Sequence, residues 1–343
     1  MRHLLNTLYV TTQGSYIARE GETLIIRVEH EIKARFPVLQ LEGLVCFGQV
    51  SVSPPAFELC SENGIGVAFL SDQGRFIARV NGPVSGNVLL RKAQYRKSDN
   101  LEESAGIARM VLTGKIANCR SVLMRAARER EDDEGKVILV SAAKSLSRIL
   151  RSIANVPDLD GLRGKEGEAS AIYFAVFDHL ILCNKDDFFF RGRSRRPPLD
   201  NVNALLSFIY TLLAHDMTSA LESVGLDPAV GYLHRDRPGR PSLALDLMEE
   251  LRPALADRLA LSLINRQQVQ PKGFERTENG GVLMTPETRK IVLVSWQERK
   301  QEEITHPFTN EKIKIGLLPY VQARLLARHL RGDIEAYPPF FWK

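Results

Sequence analysis

One histidine and a few carboxylates, carried on separate segments, are the residues of this chain best suited to chemistry. Residues 225–252 read GLDPAVGYLHRDRPGRPSLALDLMEELR. The turn Gly225-Leu226-Asp227-Pro228 leads to His234, a basic proline-broken loop follows, and the next run has the spacing of a helix carrying Asp246, Glu249 and Glu250. Upstream, the run LRGKEGEA over residues 162–169 offers Glu166 at an expected helix start. Glu, His and Glu from three segments, set among arginines, point to a divalent metal beside a phosphodiester. Oxygen and nitrogen donors without a thiolate favour Mg²⁺ or Mn²⁺ over a structural zinc, and one imidazole suits Mn²⁺ better. Such an ion would polarise phosphoryl oxygens and stabilise charge on an attacking or leaving oxygen.

Each of these residues also has a plainer reading. Glu166, placed in a first helical turn above the apolar stripe Ala169, Tyr173, Val176 and Leu180, would favour the helix dipole. His234, after Gly231-Tyr232-Leu233, would be a half-buried histidine bonded to a carbonyl. Asp246 and Glu249 are three apart and share a face, on a helix whose other face is Leu243, Leu247 and Leu251. Two close carboxylates repel unless a cation or a proton lies between them. They are either an acidic solvated face partnered by Arg252 or half of a metal site.

The basic element is Arg191-Gly192-Arg193-Ser194-Arg195-Arg196-Pro197-Pro198. Glycine and two prolines make it a loop, and its guanidiniums match phosphate geometry, so Arg191, Arg193, Arg195 and Arg196 are expected to bind DNA phosphates. The alternative is a solvated charge run. Arg235, Arg237 and Arg240 add charge beside His234. On the following helix Asn203, Ser207 and Tyr210 form a polar stripe opposite Val202, Leu205, Leu206, Ile209 and Leu213. That stripe is a buried hydrogen-bond network or a substrate face, with Tyr173 a further candidate for the latter.

The elements that must position these residues divide the chain in two. Before residue 86, short β-branched and aromatic runs (residues 4–11, 15–19, 24–28, 44–51, 65–70 and 76–80) alternate with turn residues, which predicts a small β-sandwich, with one short helical stretch at residues 54–60. Residues 87–100 read as a linker. From residue 101 to the end the spacing is helical, with helices expected near 101–130, 136–154, 165–183, 201–223, 241–263, 287–303 and 316–331. The expectation is an α+β chain, a sandwich followed by a larger all-α domain. The apolar tail, Tyr337-Pro338-Pro339-Phe340-Phe341-Trp342-Lys343, is expected to dock, either on its own helical domain or on a partner.

The 343 residues, 44% hydrophobic and 25% charged, are those of an ordinary globular protein with room for two domains. The formal charge of +5 permits nucleic acid without requiring it. Four dispersed cysteines without a CxxC pair suggest reduced thiols of a cytoplasmic protein. The N-terminus lacks the pattern of a signal peptide, no long apolar run predicts a membrane span, and no GxxxxGK[ST] motif is present.

Taken together, four blocks resemble CRISPR-associated protein one, the universal adaptation integrase family of CRISPR antiviral defence. They are RGKEGEA at 163–169 with Tyr173-Phe174, RPPLDNVNALLSF at 196–208, Gly225-Leu-Asp-Pro228 to His234, and RPSLALDLMEE at 240–250. The N-terminal runs FGQV at 47–50 and GIGVAFL at 64–70 also look familial, and the wording resembles the type I-C branch. The resemblance spans about residues 4 to 331. It implies a β-sandwich followed by a helical domain, a homodimer, and assembly with a small ferredoxin-fold partner, CRISPR-associated protein two. It implies a DNA endonuclease and integrase dependent on Mg²⁺ or Mn²⁺, with ligands on Glu166, His234 and Glu249 and with Asp246 close to the site. In that chemistry a DNA 3′-hydroxyl of a captured duplex (prespacer) attacks a phosphodiester at the edge of the CRISPR repeat. An accessory trimming nuclease is a further possible partner. The alternatives are a non-catalytic DNA-organising subunit of the same complex and a general metal nuclease acting on branched DNA.

Overall fold

A computed structural model describes residues 6–41, 43–80, 82 and 88–342. Leu4 and Leu5 of the first expected strand and the boundary near residue 86 lie outside the described residues. The chain separates into two compact units, Met1–Gly86 with Leu293–Glu302 and Lys314–Leu317, and Asn87–Val292 with Glu303–Ile313 and Leu318–Lys343.

The first unit holds β1 (Thr7–Val10), β2 (Tyr16–Glu20), β3 (Thr23–Val28), β4 (Glu31–Pro37), β5 (Gly43–Phe47), β6 (Ser51–Val52), α1 (Pro54–Glu62), β7 (Gly66–Leu70) and β8 (Phe76–Val80). These form two four-stranded sheets in the orders β1-β5-β7-β8 and β4-β3-β2-β6. Val10, Ile17, Leu24, Leu44, Cys46 and Val67 contribute to one core between them, with Leu59 and Cys60 of α1. Ser53 caps α1 and two prolines open it, a strong helix start. Strand β4 is absent from the sequence expectation. Its exposed Glu31, Lys33 and Arg35 mask the β pattern, and such charges are what protects a sheet edge. Glu29 and His30, both at positive φ, make the tight turn that returns β4 onto β3.

The second unit is mostly helical. It contains α2 (Val88–Asp99), α3 (Leu101–Glu129), α4 (Asp133–Ile153), α5 (Leu159–Ala175), α6 (Asn201–Ser223), α7 (Ser242–Leu251), a π-helical turn at Arg252–Asp257 and α8 (Arg258–Asn265). Then come β9 (Phe274–Arg276), β10 (Val282–Met284), α9 (Pro286–Gln301), which runs on into the first unit, β11 (Glu303–Thr305), β12 (Lys312–Lys314) and α10 (Leu318–Arg331). Side-chain oxygens of Asn100, Asp132, Asp158 and Asp200 accept from first-turn amides and fix the starts of α3, α4, α5 and α6. Long α3 packs against α4, α5 and α7. Helix α6 is the one helix among the described residues long and apolar enough to cross a membrane, and two thirds of its apolar window is buried inside this unit.

Three expectations change. Residues 88–99 form α2 where a linker was expected, because Leu90 and Gln94 are buried. The unit is not all helix, since β9–β10 and β11–β12 pair as two small sheets. Helix α5 starts at Leu159, six residues before the expected 165, because Asp158 caps it (Gly161 N to Oδ1, 2.7 Å) and the helix tolerates Gly161, Gly164 and Gly167. Glu166 is therefore mid-helix, so a dipole role is removed.

Candidate active site

The histidine loop is built from its far side. Asp246 on α7 is buried and uses both carboxylate oxygens on the loop: Oδ2 accepts from Tyr232 N (2.6 Å) and Leu233 N (3.0 Å), and Oδ1 from His234 N (2.9 Å). His234 Nδ1 lies 2.6 Å from the same Oδ1. A carboxylate there assigns the proton to Nδ1 and leaves Nε2 with its lone pair facing out. Gly231 is needed, because a Cβ would sit 2.8 Å from Asp246 Oδ2. Helix α2 pins the loop's start. Gln94 Nε2 donates to Asp227 O (2.8 Å) and Val230 O (3.0 Å), and Gln94 Oε1 accepts from Asp227 N (2.9 Å).

Opposite the imidazole, Glu249 is buried with its Oε1 3.9 Å from His234 Nε2 and 2.5 Å from Arg252 Nη1. Its Oε2 lies 2.8 Å from Lys115 Nζ on α3, but without hydrogen-bond alignment, so this buried oxygen has no donor. Lys115 Nζ also contacts Glu166 Oε1, closing an ion pair to α5, and Ser170 Oγ at 3.0 Å. Burial opposes the charge on Glu249, yet Arg252, Lys115 and His234 outweigh it and hold the carboxyl down at about 2. Burial likewise opposes the Lys115 charge, and Glu249 and Glu166 more than restore it. One cation thus stands between two carboxylates, with an imidazole nitrogen beside them.

The π-helical turn after α7 sets the next layer. By widening the helix at Pro253 it lets Arg252 reach back to Glu249 and turns Asp257 inward. Asp257 accepts from Tyr210 (Oδ1, 2.6 Å) and Tyr173 (Oδ2, 3.1 Å), and burial pushes its carboxyl up to about 6 against these donors and Arg252. Arg252 and Arg193 lie over the Tyr210 ring at 4.9 and 5.1 Å. These side chains, with Lys115 and Glu166, wall a cavity of about 420 Å³. A second cavity of about 250 Å³ shares Glu166 and is lined by His234, Arg163, Arg235, Arg237 and Arg240. Burial and then the neighbouring Arg237 lower the Arg240 guanidinium, and burial lowers that of Arg193, with Arg195 adding to it. Crowded guanidiniums in concave walls suit a polyanion.

Glu166 and Glu249 therefore come together on one ammonium, with His234 Nε2 3.9 Å from Glu249 and Asp246 behind the histidine rather than facing the cavity. Among the described residues no three acidic, histidine or cysteine side chains are close enough to one point to hold an ion as they stand. The donor set nevertheless fits a hard or borderline divalent cation, namely two carboxylates, one imidazole with a free lone pair, and a donorless buried oxygen on Glu249. The arginine loop divides. Arg191, Arg195 and Arg196 are exposed. Arg193 is pinned by Asn203 Oδ1 (2.7 Å) and Ser207 Oγ (3.1 Å). Asn203 is wholly buried and serves the hydrogen-bond network, one of the two expectations for its stripe. Tyr173 is buried too, as part of the wall of the larger cavity. Gly164 and Gly167 would meet nothing with a Cβ, so no close backbone approach within this chain requires them.

Three contributors escaped the sequence reading, Lys115, Gln94 and Asp257, whereas Arg252 was expected to partner these carboxylates on a solvated face and does so buried. For Lys115 a signal existed. It interrupts the buried stripe Val111, Cys119 and Val122 of α3, a place where an unpaired lysine is costly.

A two-sheet unit ahead of a helical unit with this acidic and basic site places the chain in the structural class of the CAS1 protein from Thermotoga maritima. That likeness has a TM-score of 0.81, 26% identity, and covers 95% of this chain and 97% of the other. The family model for CRISPR associated protein Cas1 matches residues 8–298, and the chain belongs to that family. Two relatives agree over their full length. The CRISPR-associated endonuclease Cas1 1 of Chlorobaculum tepidum is 52% identical and the CRISPR-associated endonuclease Cas1 2 of Rhodospirillum rubrum 54%, each covering all of both chains. A Cas4 exonuclease/Cas1 endonuclease fusion from Geobacter sulfurreducens is 37% identical over 97% of this chain and 60% of the fusion.

Proposed function

We propose that this protein is a metal-dependent DNA endonuclease and integrase of CRISPR adaptation, which inserts short DNA fragments as new spacers by 3′-hydroxyl attack on repeat phosphodiesters. The observation that carries the reading is that Glu166 and Glu249 share the Lys115 ammonium, with His234 Nε2 3.9 Å from Glu249 and Glu166 lining both arginine-walled cavities. Glu166, Glu249 and His234 Nε2 would hold Mg²⁺ or Mn²⁺, with Lys115 giving way. The ion, when bound, supplies Lewis-acid stabilisation of the phosphoryl charge. Asp246 keeps the imidazole tautomer fixed. Arg252 and Arg193, already in place over Tyr210, offset negative charge developing on the phosphate without reorganising. In the exchange a new P–O bond to the attacking 3′-oxygen replaces the bond to the leaving 3′-oxygen, and the hydroxyl proton passes to the leaving group.

The partners in this reading are the prespacer duplex and the repeat, a second copy of the chain through the sheet unit, and CRISPR-associated protein two. The Cas4/Cas1 fusion supports an accessory trimming nuclease. Four free thiols suit a reducing cytoplasm.

The test is a plasmid carrying a repeat, incubated with a 3′-hydroxyl duplex and Mn²⁺ or Mg²⁺. Joined product is expected with the hydroxyl duplex and not with a 3′-deoxy duplex, and Glu166→Ala should lower joining by at least about a hundredfold while circular dichroism stays unchanged. A chain that neither cleaves nor joins DNA with either ion overturns the reading. The Lys115 bridge favours one rival, a non-catalytic DNA-organising subunit whose ion pairs fill the site. Salt-sensitive DNA binding without turnover would identify it.

A further inference from the structure

The last residues of the chain are woven into the same helices from behind. Glu250, the chain neighbour of Glu249, is wholly buried, and successive helical residues point about 100° apart. Its Oε1 accepts from Tyr337 Oη (2.5 Å) and Gln322 Nε2 (2.8 Å), and its Oε2 from Phe340 N (2.8 Å). Asn118 of α3 ties three elements. Its Nδ2 donates to Glu250 O (2.7 Å) and Phe340 O (2.9 Å), and its Oδ1 accepts from Trp342 N (2.7 Å). Pro339 closes over Gly114, where a Cβ would stand 2.9 Å from Pro339 Cβ and 3.0 Å from Glu250 Cβ. The Arg258 guanidinium lies 4.7 Å from the Trp342 ring centroid.

Four anchors of the tail are chain neighbours of residues that face the acidic site. Gly114 precedes Lys115, Asn118 precedes Cys119, Glu250 follows Glu249 and Arg258 follows Asp257. Lys115, Cys119 and Asp257 line the larger cavity, and Glu249 pairs with Lys115. A side chain displaced on one face of a close-packed helix moves its neighbour on the other.

We propose that residues 337–342 form a strap that sets the spacing between α3 and α7, and so between Lys115 and Glu249, as a positioning element of the acidic site. The proposal rests on the reading that this site takes a divalent cation. Without the strap, Glu250 loses two of its three carboxylate donors and Asn118 loses its bonds to the tail, so at this level the direct Asn118–Glu250 bond is left without the clamp that closes over it. The strap itself touches no reacting atom.

The experiment compares the full chain with a chain ending at Ala336 and with full-length Tyr337→Phe, Phe340→Ala and Phe340→Leu variants. Mn²⁺ affinity is read by electron paramagnetic resonance of the free ion, and turnover on DNA as separate kcat and KM. The shortened chain is expected to bind Mn²⁺ about tenfold or more weakly and to lose kcat at unchanged KM for DNA. A synthetic peptide of residues 333–343 should restore both. Phe340→Ala should show the same split in weaker form and Phe340→Leu should recover it. If the shortened chain does not fold, the full-length variants decide alone. Unchanged Mn²⁺ affinity and kcat in a folded shortened chain, or in Phe340→Ala where the shortened chain does not fold, overturns the strap. If the full chain itself binds no Mn²⁺, the cation reading fails instead. The strap is then judged by amide exchange in α7, where faster exchange without the tail supports it and unchanged exchange overturns it.

Discussion

Asp246 is the residue whose neighbours most clearly define its work. Three backbone amides and one ring nitrogen converge on its two oxygens, so it holds the loop and the imidazole rather than an ion. Asp246→Asn places an amide where Tyr232 N and Leu233 N, or His234, need an acceptor. Metal affinity and kcat are expected to fall about 10–100-fold with the fold intact, measured by Mn²⁺ titration beside the joining assay. Asp257 makes a different prediction. Its folded value of about 6 lies above the ordinary 3.8, so the folded state holds its proton longer than the unfolded one. This stability is fully present below about pH 4, is lost as pH rises through about 6, and amounts to about 3 kcal/mol at 1.36 kcal/mol per pH unit. Asp257→Asn can still bond both tyrosines and cannot titrate. The difference in Tm between wild type and variant is therefore expected to shift in favour of the variant between pH 4 and 6 and to level off above, read by scanning calorimetry.

At the scale of elements, the arginine loop and α6 act as a pair. Exposed Arg191, Arg195 and Arg196 can meet phosphate, the first two also lining the larger cavity, and Asn203 and Ser207 hold Arg193 on the Tyr210 ring within it. Replacing the three exposed arginines with alanine is expected to weaken binding to every DNA sequence alike and to reduce the slope of log K against log salt by about 0.9 for each phosphate that is no longer neutralised. Arg193→Ala should instead lower kcat with little change in that slope. Titrations of fluorescent duplexes across salt concentrations separate the two. Helix α2 belongs to the same scale. An element read as a linker proves to hold the histidine loop through one buried glutamine.

For the whole molecule, the sheet unit carries an edge without a strand partner among the described residues. Among the described residues strand β8 pairs with β7 alone and exposes Phe76 at 54% and Ile77 at 57%, an apolar edge that a second copy would cover. The chain is expected to run as a dimer in light scattering at about micromolar concentration, as a self-complementary edge permits. The double variant Phe76→Asp, Ile77→Asp should run as a monomer that retains Mn²⁺ binding and loses joining. A wild-type monomer under the same conditions would remove the sheet unit from the assembly interface.

Periodicity and local chemistry were enough for part of this molecule. Residues 201–223 read as helix and are α6, and residues 76–80 read as strand and are β8, because apolar spacing is a property of the segment itself. The block pattern around Glu166, His234, Asp246 and Glu249 carried the family; in the structure His234 lies beside Asp246 and Glu249, and Glu166 reaches Glu249 through Lys115. The tail's composition called for docking, and it docks on its own helical unit. The remaining features needed the folded chain. The charged edge strand β4, the start of α5 and the helix α2 depended on partners remote in sequence. So did the ammonium of Lys115 between two carboxylates, the inward turn of Asp257, and the tail behind Glu250. These are through-space pairings across as many as 224 residues, as between Asn118 and Trp342, and no local pattern specifies which distant backbone will stop at hydrogen-bond distance. Close packing of helices around α3 does, because buried charges and amides must find their partners within it.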